Sequence, residues 1–150
     1  MEKQVIDDKI KELFISSRVI AIVGASNNKD KDSNKVMKFL QRAGYKVIPV
    51  NPTSINSYIH GEKVYGSLTD IKQNVDIVDV FRPSREVLAI AEDTVKIGAK
   101  VLWLQLGIRD ENAKELVEKN HIEYIENKCT KMEYQKLFLK IRQAFPVLSD

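Results

Sequence analysis

Val19-Ile20-Ala21-Ile22-Val23-Gly24-Ala25-Ser26-Asn27-Asn28-Lys29-Asp30-Lys31-Asp32-Ser33 is the stretch whose reading decides the fold. Its first five residues are an unbroken apolar run, rich in β-branched side chains and far too short for a membrane span. They predict a strand buried on both faces. Gly24-Ala25-Ser26 breaks the run, and a polar loop follows, ending in residues that favour helix N-caps, with Ser33 opening the helix. Val36, Met37, Leu40 and Ala43 then recur at helical spacing. Strand, glycine turn and helix N-terminus together can receive a phosphate. Small residues admit the anion to the backbone N–H groups, and the unpaired amides of a first helical turn carry partial positive charge. A plain strand-to-helix connection would use the same residues, so this loop alone leaves both readings open.

Working outward, the same grammar recurs. Upstream, Val5, Ile6, Ile10, Leu13 and Phe14 alternate with charged residues at helical spacing, predicting an amphipathic helix within residues 1–17 that covers an edge of the sheet. Downstream, Gly44 stops the first crossover helix and Lys46-Val47-Ile48-Pro49-Val50 predicts a second strand, closed by Asn51-Pro52. Residues 53–66 turn to Ser, Asn, Gly and Tyr, with a short extended piece expected at Lys63-Val64-Tyr65 and a helical turn at residues 67–71. Val75-Asp76-Ile77-Val78-Asp79-Val80-Phe81 is the third predicted strand, and its two aspartates suggest a place nearer an edge or strand end than the first. Arg82-Pro83-Ser84 follows, with Ser84 expected to cap a helix carrying Val87, Leu88, Ala91 and Val95 and ending at Gly98. Strands are predicted at residues 100–106 and 122–125, separated by a helix capped by Asp110. Met132, Leu137, Phe138, Ile141 and Phe145 mark a closing helix. Alternating strands and helices with long connections predict an α/β fold: a Rossmann-like, doubly wound parallel sheet of about five strands with helices on both faces, forming one domain over residues 1–150.

The totals narrow the functional classes. The 24 basic and 21 acidic residues leave a net charge of +3 with the signs interspersed, a weak footprint for nucleic acid. One cysteine, Cys129, excludes an internal disulfide, and the two histidines, His60 and His121, lie far apart without metal-ligand spacing. No signal-like or membrane-length apolar run appears, which predicts a cytoplasmic protein without membrane partners.

In such a sheet, ligands bind beyond the carboxyl ends of the strands. Gathered there are Gly24-Ala25-Ser26-Asn27, Asn51-Pro52, Arg82-Pro83-Ser84, Gln105-Leu106-Gly107 and Asn127-Lys128-Cys129-Thr130. A nicotinamide enzyme would show two further glycines after the first strand and an acid after the second. This chain has Gly24 alone, and Asn51 in the acid's place. Arg82 could clamp a phosphate or be an ordinary loop arginine, and Gln105 could meet a ligand or satisfy loop backbone. Trp103 reads as core. Cys129, beside Lys128 and Lys131 and ahead of a helix, has surroundings that lower a thiol's pKa, making it a candidate redox thiol; an inert packing residue is the alternative. Thr130 and Glu133 have the spacing of a capping box. No catalytic triad, paired catalytic acids or P-loop lysine emerges, so no catalytic residue is assigned.

Several of these motifs in one order carry a resemblance. Val23-Gly24-Ala25-Ser26, Ser33, Val47-Ile48-Pro49-Val50-Asn51-Pro52, Asp76-Ile77-Val78-Asp79-Val80-Phe81-Arg82-Pro83, Ile97-Gly98-Ala99-Lys100, Trp103-Leu104-Gln105-Leu106-Gly107 and Lys128-Cys129-Thr130-Lys131 are similar to the small stand-alone CoA-binding domain family. These are Rossmann-like proteins related to the CoA-binding domain of the succinyl-CoA synthetase alpha subunit. The resemblance implies a site for CoA or acyl-CoA, with pyrophosphate at the turn Gly24, Ala25, Ser26 and Asn27 and at Ser33. Asn51 and Pro52 would line the adenosine side, and Val80, Phe81, Arg82 and Pro83 would pack along nucleotide or pantetheine, with Gln105 and Gly107 nearby. A mixed disulfide between CoA and Cys129 is the redox version. Family members commonly carry Arg-Pro-Ser where this chain has Lys31-Asp32-Ser33, and the related synthetases place a lysine shortly after Asn-Pro where Thr53-Ser54 stand here. Asp30 and Asp32 bring negative charge toward the phosphates. The synthetases' phosphorylatable histidine belongs to a further domain, so the ligase reaction is not implied. Two other readings are an NAD(P)-linked oxidoreductase in the same crevice and a protein-interaction subunit with a vestigial site. On the anion reading, Gly24→Val abolishes binding while the fold survives.

Overall fold

The computed structural model describes residues 2–140; Ile141 and Phe145 of the predicted closing helix lie outside them. Five strands form one parallel sheet: β1 (Val19–Val23), β2 (Lys46–Val50), β5 (Ile77–Val80), β6 (Val101–Leu104) and β7 (Glu123–Ile125), in the order β2-β1-β5-β6-β7. Two short strands, β3 (Tyr58–Ile59) and β4 (Glu62–Lys63), make a separate antiparallel hairpin. Helices α1 (Glu2–Ser16), α2 (Asp32–Arg42), α3 (Val87–Ile97), α4 (Glu111–Lys119) and α5 (Thr130–Phe138) cover the sheet.

Alternation along the strands divides the core in two. Ile20, Ile22, Ile77, Val101 and Trp103 face one way and pack with Ile10 and Phe14 of α1, Met37 and Leu40 of α2 and Tyr134 of α5. Ala21, Val23, Val78, Val80, Leu102 and Leu104 face the other way, against Val87 and Ala91 of α3 and Ala113 and Val117 of α4. Both faces are thus covered, which is why the strands read as continuous apolar runs.

The aspartates of the third predicted strand have a different meaning from the expected one. β5 is the central strand, and Asp79 is fully buried. Asp76, just ahead of the strand, accepts hydrogen bonds from the N–H groups of Arg18 (2.8 Å) and Val19 (3.0 Å). One aspartate therefore ties the start of β1 to β5, and the other lies in the interior.

Other local expectations also shift. Helix α1 lies on a sheet face through Ile10 and Phe14 rather than over an edge, although Lys9 pairs with Glu123 of the edge strand β7. Its Val5 and Ile6 are exposed. Ser84 opens a 3-10 turn (Ser84–Glu86), and its hydroxyl accepts from the Arg109 N–H at 3.1 Å instead of capping α3. Asp110 does cap α4, accepting from the Ala113 N–H at 3.0 Å. Gly98 ends α3 in the left-handed region as expected. The extended piece near residue 65 joins the sheet through a bridge from Tyr65 to Val50, so it shields the β2 edge.

Candidate functional site at the switch point

The chain crosses from one face of the sheet to the other between β1 and β5, and the loops leaving these neighbours part at their carboxyl ends. In a sheet of this order, that is where the ligand crevice opens. Gly24 follows β1 with φ +92°, and a Cβ built there would lie 2.7 Å from the Phe81 carbonyl oxygen and 2.8 Å from Arg82 Cδ. Only glycine fits. Because the clash is largely with backbone, the fold of a Gly24→Val protein is damaged along with the site, which corrects the expectation that such a variant folds normally.

Three hollows meet around this point. One, of about 370 Å³, is lined by Gly24, Ala25, Ser26, Lys31, Asp32, Ser33, Asn51, Phe81 and Arg82. A second, of about 270 Å³, lies toward β2, where Asn51, Pro52, Thr53, Ser67, Leu68 and Ile90 contribute. The third, of about 740 Å³, runs toward β6 and α5 past Phe81, Pro83, Gln105, Leu106, Cys129 and Met132. Arg82 borders all three.

Accounting for the amides of the first loop changes the roles assigned from sequence. The N–H groups of Gly24 and Ala25 both donate to the Val50 carbonyl, at 3.0 and 3.3 Å, so they close the loop against β2. Gly24 contributes space, not a donor. Helix α2 begins at Asp32 with Lys31 as N-cap, and no side chain caps it; Ser33 lies inside the first turn. The uncapped end opens on the first hollow, where Asp32 and Ser33 line the wall.

Asn51 is committed internally. Its amide nitrogen donates to the Ala25 carbonyl at 2.8 Å, and its oxygen accepts from the Thr53 N–H (2.9 Å) and hydroxyl (2.8 Å). It staples the first loop to the second. Arg82 is likewise held: its guanidinium donates through two nitrogens to both carboxylate oxygens of Glu86, at 2.9 and 2.7 Å. That pairing holds the Glu86 carboxyl below its ordinary range. The Arg82–Glu86 spacing of four residues was the signal available in the sequence for this clamp.

Among the other predicted contacts, Asn27 is exposed and is not part of the hollow's lining, while Val80 is fully buried in the core beneath it. Gly107, with φ +81°, is not part of the lining of the three hollows, and its N–H donates to Asn127 Oδ1 at 2.7 Å. Trp103 is core, as expected, and its Nε1–H donates to the Lys128 carbonyl at 2.7 Å. Cys129 lines the third hollow, but burial pushes its thiol up. Two amides of the following turn and Lys131 pull the other way without prevailing, so the thiolate-favouring environment expected from its neighbours is not realised. Thr130 does not form the capping box with Glu133; its hydroxyl is used elsewhere.

That other use is the feature that sequence reading missed. Asp79 on β5, Gln105 after β6 and Thr130 at the start of α5 meet in the interior. Thr130 Oγ1 donates to Asp79 Oδ2 at 2.9 Å, and Gln105 Nε2 donates to Asp79 Oδ1 and, at 3.1 Å, to Thr130 Oγ1. Burial pushes the Asp79 carboxyl up to about 7, against the opposing pull of its two hydrogen bonds. Because the folded state holds this proton more tightly than the unfolded chain, Asp79's contribution to stability is greatest below about pH 4. It falls as pH rises toward 7 and is lost above that. Asp79→Asn should remove this decline, worth roughly 4 kcal/mol across the interval. Urea denaturation of both proteins at pH 5 and pH 8 checks it; parallel losses in the two would refute it.

Parallel strands, a switch-point cleft, a glycine turn and an uncapped helix end define a doubly wound, Rossmann-like α/β domain. Comparison narrows the class: the chain belongs to the CoA binding domain family, whose model matches residues 18–135. It is similar to the uncharacterized protein YneT of Bacillus subtilis (strain 168), 37% identical over 126 residues, or 84% of this chain and 92% of that protein. A hypothetical protein from Pyrococcus horikoshii OT3 has the same fold at TM-score 0.83 and 33% identity, over 87% of this chain and 91% of that one. The alpha subunit of ADP-forming acetate–CoA ligase I from Pyrococcus furiosus is 32% identical over 95 residues, which are 61% of this chain and 21% of the subunit. The chain therefore corresponds to about a fifth of that ligase subunit. Among the described residues, no helix is long and apolar enough to cross a membrane.

Proposed function

We propose that this chain is a single-domain, cytoplasmic protein that binds coenzyme A or an acyl-CoA non-covalently at the carboxyl ends of the strands, without chemistry of its own. Family membership supports the ligand class, and one observation carries the reading: three hollows adjoin at Arg82, two of them bordered by Gly24 and two by Asp32 at the uncapped head of α2. The diphosphate would sit at the head of α2, the adenosine toward Pro52, Thr53 and Leu68, and the pantetheine arm past Phe81 and Pro83. Lys31 and Lys35 border the anion path and offset Asp32.

A second reading, a vestigial site used for protein interaction, is favoured by the engagement of Arg82 with Glu86 and by Asp32 in the anion hollow. Calorimetry under reducing conditions with CoA, dephospho-CoA, acetyl-CoA, NAD and ATP separates the two. The CoA reading expects CoA and acetyl-CoA to bind at least about tenfold more tightly than NAD or ATP. Absence of heat with all five would favour the vestigial reading, and a preference for NAD would point to an oxidoreductase in the same crevice.

A further inference from the structure

A buried carboxyl, a buried amide and a buried hydroxyl from three separate elements are costly to enclose, and the packing of the sheet does not require them. Asp79 and Thr130 are fully buried, and Gln105 is 5% exposed. With Asp79 ionised, the directions of their hydrogen bonds follow from chemistry. An ionised carboxylate only accepts, so the Gln105 nitrogen, not its oxygen, faces Asp79. Thr130 gives its one proton to Asp79 and therefore accepts from the second N–H of Gln105. Both amide protons of Gln105 are thus spent, and the amide is locked.

What remains is Gln105 Oε1. Among the described residues no group donates to it, and it is not a sealed polar atom without a partner. Gln105 lines the 740 Å³ hollow, which shares Asp32, Phe81 and Arg82 with the anion hollow at the head of α2. A chain leaving a diphosphate there and passing Phe81 and Arg82 enters the hollow that Gln105 lines.

Resting on the CoA reading above, we infer that Gln105 selects the pantetheine arm by accepting a hydrogen bond from one of its amide N–H groups at Oε1, with Asp79 and Thr130 as positioning residues that keep the oxygen toward the cleft. The arrangement converts an interior acid into an acceptor displayed at the surface of the hollow. It also makes the display depend on the state of Asp79. Protonated, Asp79 can donate to the Gln105 oxygen, and the amide then turns an N–H toward the cleft instead. Burial, which places the Asp79 carboxyl near 7, brings that exchange into the neutral range. On the strands flanking β5, Ile22 and Trp103 are its register neighbours. The titratable and charged groups on α5 that bear on it are the Cys129 thiol, coupled to Asp79, and Lys131, which acts on that thiol.

The test compares CoA with the methyl ester of 3′-phosphoadenosine 5′-diphosphate, which keeps all of CoA's phosphates with the same ionisations but lacks the arm, by calorimetry from pH 5.5 to pH 8. The expected result in the wild type is a preference for CoA that grows as pH rises through 7. Gln105→Met should cut that preference by roughly 3- to 10-fold at pH 8, the size of one neutral hydrogen bond. Asp79→Asn, which can meet the amide in either orientation, should reduce it and make it independent of pH; Thr130→Ser should restore wild-type behaviour where Thr130→Val does not. Near-UV circular dichroism confirms folding, and if Gln105→Met does not fold, the Asp79→Asn and Thr130 variants decide alone. A preference that survives in these variants, or that is flat with pH in the wild type, overturns the inference while leaving CoA binding intact. A wild type that binds neither compound overturns the CoA reading and the inference with it.

Discussion

Gly24→Ala is expected to destabilise the protein by about 3 kcal/mol or more, an unusually large effect for adding one methyl group. Two costs combine. At φ +92° a residue with a Cβ sits in strained backbone. The added carbon also meets the Phe81 carbonyl oxygen at 2.7 Å, and that loop cannot withdraw freely because the Phe81 N–H donates to the Val23 carbonyl at 2.8 Å. Gly44→Ala is the control: its φ is +107°, but nothing lies within 4 Å of the added carbon, so it should show the backbone cost alone. Urea denaturation of the two variants separates strain from collision. Equal losses would mean that the β1 and β5 loops are not in the tight contact described.

The second large effect is expected at Trp103. Its side chain is fully buried on β6, 5.4 Å from Phe14 between ring centroids, and it is the largest sealed residue of the α1, α2 and α5 face. Trp103→Ala should cost about 3–5 kcal/mol from lost burial and the cavity left behind. The Lys128 carbonyl loses its donor as well. Trp103→Phe, which keeps most of the volume and loses that hydrogen bond, should cost about 1–2 kcal/mol. Equilibrium unfolding resolves the two, and an alanine variant no worse than the phenylalanine one would contradict the packing described. Because α5 rests on this face and carries Thr130, the alanine variant should also loosen the polar cluster under the third hollow.

The strands were legible because burial on both faces makes each one an apolar run, and the helices because their inner stripes recur at 3.6 residues. The exceptions are instructive. Asp79 suggested a peripheral strand because a carboxylate in the interior is normally prohibitive; its partners Gln105 and Thr130 lie 26 and 51 residues away, beyond the reach of any local pattern. Val5 and Ile6 fit the stripe of α1 yet are exposed, since periodicity gives the direction of a face but not how far along the helix its cover extends. In the site, the loops were found from strand ends alone. The occupation of individual donors was not: that Gly24, Ala25, Asn51 and Arg82 already spend their polar groups on neighbouring protein depends on distances no spacing encodes. Only the Arg82–Glu86 pair could have been anticipated, from its separation of four.

The Asn51 staple has a bearing on kinetics. With the loops after β1 and β2 already fastened to one another, the crevice they frame has its shape before any guest arrives, and little chain entropy is left to be surrendered on association. Capture at this end of the sheet should therefore proceed in a single concentration-dependent phase, with no slow isomerisation trailing it.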